Sequence, residues 1–352
     1  MRVTVVGAGA IGGTVGMLLH QAGHQVVLVD RDATHVATIN RDGFRLSGLL
    51  DVAERVPAIV PDRLPDLVRD EEPLGLVVLA VKAMDTEAAV EQIRPHLALD
   101  GCIVSYQNGL NEETIARLVG RERTVGAFVH FGADLLEPGH VVLATRPTTY
   151  ISELDGRDTP RIREIASVLS AVTAVEVTDN LEGYLWGKLG YAALAFVVSS
   201  VDAPIDEVVM VPAARTAIRG AVAEVVDVAR AQGIELENIH GFEPRLFDHR
   251  NPHRIAETEA LFERWAEEGK TAIKRHMGIH RDIKVRKRRT EVDFQIGPVV
   301  ERGRELGVPT LVSERLVAAI HQIEAGTRVQ DWSTIEDLAL VATQGDGGAS
   351  RS

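Results

Sequence analysis

Three glycines near the start of the chain have a spacing that suits the binding of a dinucleotide. Gly7, Gly9 and Gly12 follow an apolar run and form a G-x-G-x-x-G pattern, with Ala10 and Ile11 inside it. The first glycine of such a pattern permits a tight turn, the second lets the backbone approach a pyrophosphate, and the third lets a helix pack closely on a strand. The positive end of that helix would hold the pyrophosphate. We therefore expect a dinucleotide at this turn.

An acidic residue lies where such a site would contact the ribose of adenosine. The second predicted strand ends at Asp30, and a carboxylate there accepts hydrogen bonds from ribose hydroxyls. Its charge would repel a 2′-phosphate, so the sequence favours NAD. Arg31 and Arg41 leave NADP open, because a nearby guanidinium can bind that phosphate. A glycine-rich turn that binds no nucleotide is the less favoured alternative, because strand, helix and acidic residue occur in the expected order.

The elements that would position these residues alternate between strands and helices in the first half of the chain, as is typical of a parallel α/β sheet. The predicted strands cover residues 2–6, 25–29, 74–81, 102–105 and 124–129. Two further runs, 141–144 and 148–151, predict an antiparallel pair joined by a turn at Arg146 and Pro147.

Long helical patterns dominate the second half of the chain. They cover residues 180–200, 211–232, 257–304 with a break near Pro298, and 310–325. We predict an N-terminal Rossmann domain with a doubly wound parallel sheet over residues 1–177 and an all-helical domain over residues 178–342. The helical domain would shape the substrate site and a dimer interface. Residues 343–352 are polar and glycine-rich, which predicts a disordered tail.

Composition and charge exclude several classes of protein. The net charge of −13 argues against a nucleic-acid binder, which needs an excess of Lys and Arg. The single cysteine, Cys102, excludes an intramolecular disulfide and a cysteine-based zinc site, and the histidine spacing matches no metal pattern. No stretch of about 20 residues is apolar enough to span a bilayer. We expect a soluble cytoplasmic protein without a metal, a nucleic-acid partner or a membrane partner.

Beyond the glycines, four local motifs in matching order resemble the ketopantoate reductase family, and together they cover about residues 1–325. The motifs are Ala80-Val81-Lys82-Ala83, Gln107-Asn108-Gly109-Leu110, Trp186-Gly187-Lys188-Leu189 and Thr290-Glu291-Val292-Asp293. The resemblance implies a Rossmann domain, a nicotinamide cofactor, a helical second domain and, by analogy, a homodimer.

The resemblance also implies roles for four residues. Lys188 matches the general acid, which protonates the carbonyl oxygen as hydride reaches carbon. Lys82 and Asn108 match positions beside the nicotinamide, and Glu291 matches a residue that contacts substrate. Each has a structural alternative. Lys188 would be a surface lysine beside a buried tryptophan, Lys82 a strand-end lysine, and Asn108 part of an Asn-Gly turn. Glu291 would form helix-surface ion pairs with the basic residues three and four positions before it.

The chain departs from the family where the substrate would bind. Two family asparagines follow the lysine at four and eight residues, and this chain has Ala192 and Phe196 there. Ile279 occupies the spacing of a family serine. Apolar residues in place of amides would pair poorly with a hydroxylated keto acid. We therefore expect a different substrate, larger or less polar, with His276 and His280 as candidates for a replacement polar contact.

The sequence thus predicts an NAD(P)-dependent oxidoreductase that transfers hydride between nicotinamide and a carbonyl or hydroxyl carbon of a small 2-keto or 2-hydroxy acid. Lys188 would act as general acid and base. One alternative keeps the cofactor but reduces an imine formed from an amine and a keto acid. Another is a non-catalytic nucleotide-binding sensor, which would bind cofactor without turnover.

Overall fold

A computed structural model describes residues 2–271 and 275–349 of the chain. The chain divides into two compact units, Met1–Leu181 and Glu182–Ser352. The sequence places the boundary after residue 177, at the end of the last strand. In the structure the first unit extends to Leu181, because a short connection still follows that strand.

The first unit contains the strands. In chain order they are β1 (Arg2–Val6), β2 (Gln25–Val29), β3 (Phe44–Gly48), β4 (Val52–Glu54), β5 (Ala58–Ile59), β6 (Leu74–Leu79), β7 (Leu97–Ser105), β8 (Thr124–Phe128), β9 (Gly132–Glu137), β10 (His140–Thr145), β11 (Thr149–Glu153) and β12 (Val175–Val177). Its helices are α1 (Ala10–Gln21), α2 (Ala33–Asp42), α3 (Leu64–Asp70), α4 (Thr86–Ile93), α5 (Glu112–Val119) and α6 (Pro160–Leu169).

The second unit is helical in its described part. Its helices are α7 (Leu181–Ser199), α8 (Ile205–Val208), α9 (Pro212–Ala231), α10 (Arg254–Thr271), α11 (Gly278–Lys284), α12 (Val292–Gln295), α13 (Gly297–Leu306), α14 (Leu311–Glu324) and α15 (Trp332–Ala349). One-turn 3₁₀ helices lie at Pro61–Arg63, Ala83–Asp85, Arg94–His96, Arg121–Arg123 and Pro244–Phe247. None of the described helices is long and apolar enough to cross a membrane.

The larger sheet has the order β12-β11-β8-β7-β6-β1-β2-β5. Its pairs are parallel except β11 with β8, which is antiparallel. Alternate residues of the central strands enter two separate cores: Val78 and Val104 lie on one face, Val77 and Ile103 on the other. Burial on both faces explains why these strands are apolar at nearly every position. The predicted doubly wound α/β fold followed by a helical domain is confirmed.

A smaller four-stranded sheet, with the order β4-β3-β10-β9, was not expected from the sequence. It also corrects the predicted pairing of residues 141–144 with 148–151. β10 pairs with β3 and β9, whereas β11 pairs with β8 and β12 in the larger sheet. The segment around Pro147 therefore carries the chain from one sheet to the other instead of closing a hairpin, because both strands find longer-range partners that bury their apolar faces.

The second unit is held together in part by a buried carboxylate. Glu224 on α9 accepts hydrogen bonds from the backbone N–H groups of Val312 (2.8 Å) and Ser313 (2.7 Å). These donors open α14 and have no partner within their own helix. A side chain from another helix thus serves as the cap of α14 and fixes the two helices relative to each other. Burial raises the pKa of Glu224 to about 7.

Helix α15 extends to Ala349, through most of the segment that the sequence predicts as a disordered tail. Residues 350–352 of that tail lie outside the described residues. The upstream part of α15 packs on α9 so closely that a Cβ added at Gly220 would lie 2.7 Å from the Cβ of Ala342. Once a helix is anchored in this way, each further residue adds a hydrogen bond without a new nucleation cost.

A buried acid in the first unit makes stability depend on pH. Burial raises the pKa of Glu112, in the first turn of α5, from 4.5 to about 7. The contribution of Glu112 to the free energy of unfolding is therefore fully present below about pH 4.5 and is lost as pH rises through about 7, because the folded state then holds a buried charge. We predict that Glu112→Gln gains stability over wild type as pH rises, by up to about 3 kcal/mol near pH 8. Urea unfolding at several pH values measures this difference.

The matched control is Glu113→Gln. Glu113 is exposed and pairs with Arg121 at 2.8 Å, so its replacement should change the free energy of unfolding by less than about 1 kcal/mol at every pH. A constant difference between Glu112→Gln and wild type across the pH range would contradict the prediction.

Candidate functional site

The turn after β1 needs two of its three glycines for the fold itself. Gly7 has φ +92°, and a Cβ there would lie 2.8 Å from the backbone of Ala80. A Cβ at Gly12 would lie 1.9 Å from the carbonyl oxygen of Gly7. Gly9 differs, since no atom lies within 4 Å of a Cβ added there. Its side of the turn is open, as the approach of a ligand to the backbone requires.

The peptide groups of Ala8, in the middle of this turn, are held from both sides. Its N–H donates to Asp30 Oδ2 at 2.8 Å, and its carbonyl oxygen lies 2.9 Å from His35 Nε2. The N–H of Gly139 donates to His35 Nδ1 at 3.0 Å, so Nε2 carries the hydrogen that Ala8 accepts. His35 is buried. No motif marks His35 in the sequence, because its partner Gly139 lies 104 residues further along the chain.

Asp30 lies at the end of β2, where the sequence predicts a contact with ribose. Its Oδ1 accepts the N–H of Asp32 at 2.9 Å, so both carboxylate oxygens already bind backbone. Each oxygen keeps a lone pair for a further donor, and Asp30 is partly exposed. The next residue, Arg31, forms an ion pair of 2.7 Å with Asp85. Arg41 instead pairs with Asp42 in the last turn of α2, at the opposite end of that helix from its N-cap Asp32.

Ala10 and Ile11 open helix α1 and are partly exposed. The first N–H groups of a helix have no partner within the helix, and they carry its partial positive charge. These two residues, with the open side of Gly9, form the part of the turn that suits an anionic pyrophosphate.

Lys82 and Asn108 follow the adjacent parallel strands β6 and β7, and both are partly exposed. Gln107 connects their loops: its Nε2 donates to the carbonyl oxygen of Val81 at 2.9 Å and to Thr86 Oγ1 at 2.8 Å. Ligands of open α/β sheets bind at the carboxyl ends of strands. The structure therefore brings Lys82 and Asn108 to one edge of the sheet. Gln107 belongs to the motif at residues 107–110, and its role in connecting the two loops was not expected from the sequence.

Lys188 lies in the middle of α7 and is partly exposed, between the buried residues Trp186 and Leu189. Ala192 follows one helical turn later and Phe196 two turns later on the same face. Ala192 is 4% exposed, and Phe196 has no exposed surface. Phe196 therefore lies beneath the surface residues around Lys188. It could contact a substrate directly only if the packing of the helices changed.

Glu291 is buried at the N-cap position of α12. Helix α11 ends at Lys284, so Lys287 and Arg288 do not share a helix with Glu291, and the spacing argument for helix-surface ion pairs fails. Arg288 donates to Asp282 at 2.8 Å. The helical pattern predicted over residues 257–304, with its break placed near Pro298, did not show this earlier break.

His276 and His280 stack on each other, with ring centroids 4.2 Å apart. His280 Nε2 lies 2.7 Å from Asp202 Oδ1, and Lys284 Nζ lies 2.9 Å from the other oxygen of Asp202. Hydrogen bonds from these two groups lower the pKa of Asp202. Burial, with the nearby His280, lowers the pKa of His276 and favours its neutral form. Next to His276, Met277 accepts a hydrogen bond from the hydroxyl of Tyr191.

The predicted site residues thus form groups within each unit. The first unit joins the glycine turn, Asp30 and Arg31 through the end of β2, and it joins Lys82 to Asn108 at one sheet edge. The second unit carries the predicted proton donor, the substrate-contacting glutamate and the two histidines. Within residues 2–271 and 275–349, no group of three or more His, Cys, Asp or Glu side chains is arranged to hold a metal ion.

Two family models match the chain, one in each half. Residues 3–156 match "Ketopantoate reductase PanE/ApbA", and residues 180–324 match "Ketopantoate reductase PanE/ApbA C terminal". A 2-dehydropantoate 2-reductase from Archaeoglobus fulgidus is 29% identical over 327 residues, covering 92% of this chain and 98% of the relative. One from Pyrococcus abyssi is 32% identical over 192 residues, covering 53% of this chain and 60% of the relative.

Solved structures share the fold over nearly the whole chain. A PanE/ApbA family ketopantoate reductase from Ralstonia eutropha superposes with a TM-score of 0.76 at 28% identity, over 93% of this chain and 99% of that one. D-mandelate dehydrogenase in a ternary structure with NADH and anilino(oxo)acetate gives a TM-score of 0.78 at 24% identity, with the same coverage.

The open side of Gly9 yields a prediction that separates folding from binding. Its backbone, with φ −69° and ψ −155°, suits any residue, and nothing would touch a methyl group there. We predict that Gly9→Ala unfolds within about 0.5 kcal/mol of wild type yet binds NADH at least about tenfold more weakly, because the methyl group occupies the pyrophosphate position. Chemical denaturation and calorimetric titration measure the two effects.

The control is Gly75→Ala, at a position in β6 that is equally open but lies at the amino end of its strand. It should leave both stability and NADH binding unchanged. Equal NADH affinity in Gly9→Ala and wild type would show that no pyrophosphate lies over this turn.

Proposed function

This chain belongs to the ketopantoate reductase family, and we propose that it is a nicotinamide-dependent oxidoreductase that transfers hydride between the cofactor and a carbonyl or hydroxyl carbon of a small 2-oxo or 2-hydroxy acid. Membership of the family confirms the predicted enzyme class, since its curated relatives are named as reductases of a keto acid. The observation that carries the proposal is the turn at residues 7–12, rigidly held yet open at Gly9.

The proposed cofactor is NAD. Asp30 places a negative charge at the end of β2, where the adenosine ribose of a bound dinucleotide lies. Its oxygens keep lone pairs for ribose hydroxyls, whereas a 2′-phosphate would be repelled. Arg31 is the basic residue that would favour NADP, and its ion pair with Asp85 weakens that effect.

The proposed proton donor is Lys188. When bound, the nicotinamide supplies or accepts the hydride at its C4 atom. An ammonium group beside the substrate oxygen stabilises the charge that develops there and donates its proton in the reductive direction. In the oxidative direction the neutral amine accepts that proton. The buried apolar neighbours of Lys188 on α7 keep water away from one side of it. Lys82 and Asn108 would organise the nicotinamide end, and Glu291 would orient the substrate.

Replacement of Lys188 tests this assignment. We predict that Lys188→Ala lowers kcat by about 10²- to 10⁴-fold, because the proton donor is lost, and changes the Kd of NADH by less than about twofold. The control is Lys270→Ala, at an exposed lysine of the same unit that pairs with Glu267. Steady-state kinetics with NADH and a panel of 2-oxo acids gives kcat. Activity of Lys188→Ala near the wild-type level would exclude Lys188 as proton donor.

The proposed substrate is less polar than dehydropantoate. At four and eight residues after Lys188, Ala192 and Phe196 stand where the family has amides, and neither can donate a hydrogen bond from its side chain. A site without these donors gives no hydrogen bond to a substrate hydroxyl, whereas it suits an apolar group beside Ala192, with Phe196 packed beneath. The proposed polar contacts for the acid group are His276 and His280, which stack on each other. Met277, the neighbour of His276 in the chain, accepts a hydrogen bond from Tyr191.

An amide at position 192 should partly restore selectivity for the hydroxyl group. The test substrates are dehydropantoate and the analogue that lacks only its hydroxyl, and wild type should have the higher kcat/KM with the analogue. Ala192→Asn should raise the ratio of kcat/KM for dehydropantoate to kcat/KM for the analogue by up to about tenfold, the value of one hydrogen bond. Ala192→Val controls for the added bulk. An unchanged ratio in Ala192→Asn would contradict the proposed substrate position.

The same assays distinguish two alternative functions from the proposed one. An imine-reducing enzyme would oxidise NADH with a keto acid only after an amine is added. A non-catalytic sensor would bind the cofactor and turn over none of the panel, and wild type would then match Lys188→Ala. A homodimer and a cytoplasmic location stay predictions, and NADP is the alternative cofactor.

A further inference from the structure

The cation beside the proposed adenosine site is already paired. Arg31 directly follows Asp30, and its side chain is 76% exposed. Its NH1 nitrogen donates to Asp85 Oδ1 at 2.7 Å. We infer that Asp85 is a specificity-determining residue, which disfavours NADP by neutralising the guanidinium that would otherwise bind the 2′-phosphate. The inference rests on the proposed function, because it takes the dinucleotide to lie at the glycine turn.

Asp85 is the fixed member of this pair. It ends the 3₁₀ helix Ala83–Asp85, and its N–H donates to the carbonyl oxygen of Lys82 at 2.8 Å. The next residue, Thr86, is buried and bound to Gln107. The side chain of Asp85 is 28% exposed, against 76% for Arg31. The loop therefore holds the Asp85 carboxylate in place, and the long, exposed side chain of Arg31 extends to reach it.

The charges around the pair of Arg31 and Asp85 disfavour the binding of a phosphate. Asp30 and Asp32 lie on either side of Arg31 in the chain, and backbone N–H groups hold the first carboxylate at the end of β2 and the second at the start of α2. Asp85 adds a third negative charge against one guanidinium. A dianionic 2′-phosphate thus meets a net negative region, whereas a ribose hydroxyl meets carboxylates that can accept its hydrogen bond.

Exposed ion pairs of this kind are weak by themselves, so Arg31 could leave Asp85 for a phosphate. The main effect of Asp85 is then to compete with the phosphate for this guanidinium, because breaking the pair costs part of what the phosphate gains. An uncharged side chain at position 85 removes both the competing partner and the repulsion. The affinity for NADH, which lacks the phosphate, depends on neither.

The experiment is a calorimetric titration of NADH and of NADPH into the full-length protein, as wild type, Asp85→Asn, Arg31→Ala and the double variant. We expect wild type to prefer NADH. Asp85→Asn should bind NADPH about five- to tenfold more tightly and NADH within about twofold of wild type. In the Arg31→Ala background the substitution at position 85 should lose most of this gain, because the guanidinium is the group that is released.

A matched control removes the same charge elsewhere in the unit. Asp158 forms a similar exposed pair with Arg163 at 2.8 Å, before α6 and at the far side of the larger sheet. Asp158→Asn should leave both affinities unchanged, so a general effect of net charge is excluded.

Three results would overturn the inference: equal changes for both cofactors in Asp85→Asn, a gain for NADPH that is undiminished without Arg31, or a wild type that prefers NADPH. A different result is expected if the proposed function itself is wrong. Wild type would then bind neither cofactor, and the assignment of Asp85 would fall with it. If wild type binds both and only the effect of Asp85 is absent, the proposed function stands.

Discussion

The two hydrogen bonds that hold the peptide groups of Ala8 are the constraint on which the first unit depends. Asp30 binds its N–H and His35 its carbonyl, so the turn after β1 is tied to the end of β2 and to the first turn of α2. Gly139 on the far side of His35 extends the connection to the smaller sheet. Loss of a buried hydrogen-bond partner costs about 1–3 kcal/mol, so each contact resists distortion of the turn. A rigid turn can present backbone N–H groups to a ligand without reorganising.

The same turn shows why a glycine pattern has two separate meanings. Gly7 and Gly12 are needed because their neighbours leave no room for a Cβ, which any close strand–helix junction would require. Only Gly9 has open space beside it, and only there does the pattern point to a ligand. Asp30 likewise stabilises the fold through hydrogen bonds from backbone N–H groups, in addition to its proposed contact with a ribose. A site for a dinucleotide is thus built from contacts that the strand ends already need.

Local patterns predicted the elements nearest this turn well. β1 and β2 have the predicted bounds, because each is rich in valine and is followed by a residue that breaks the apolar pattern, Gly7 or Asp30. The smaller sheet escaped prediction because its strand β10 finds a parallel partner, β3, almost a hundred residues away. His35 escaped for the same reason, since its role depends on Gly139. Long-range pairing of this kind leaves no periodic signal in the sequence.

In the second unit the chemistry was predicted from family motifs rather than from residue patterns. Lys188 within an apolar helix has no feature that marks a proton donor, and Glu291 looked like a helix-surface acid until the structure placed it at a helix start. Ala192 and Phe196 were identified as departures because the family places amides there. Their burial in the structure supports an apolar surrounding near Lys188, which is the basis of the proposed preference for a less polar keto acid.

A dinucleotide bound on the open side of the turn at residues 7–12 would cover the backbone there, and amide hydrogen exchange with and without NADH detects this directly. We expect NADH to slow exchange from Gly9 to Ile11, where helix α1 begins, and to leave exchange at the start of α6, at Thr159, unchanged. Unaltered exchange at Gly9 to Ile11 in the presence of saturating NADH, or protection confined to other parts of the chain, would contradict it.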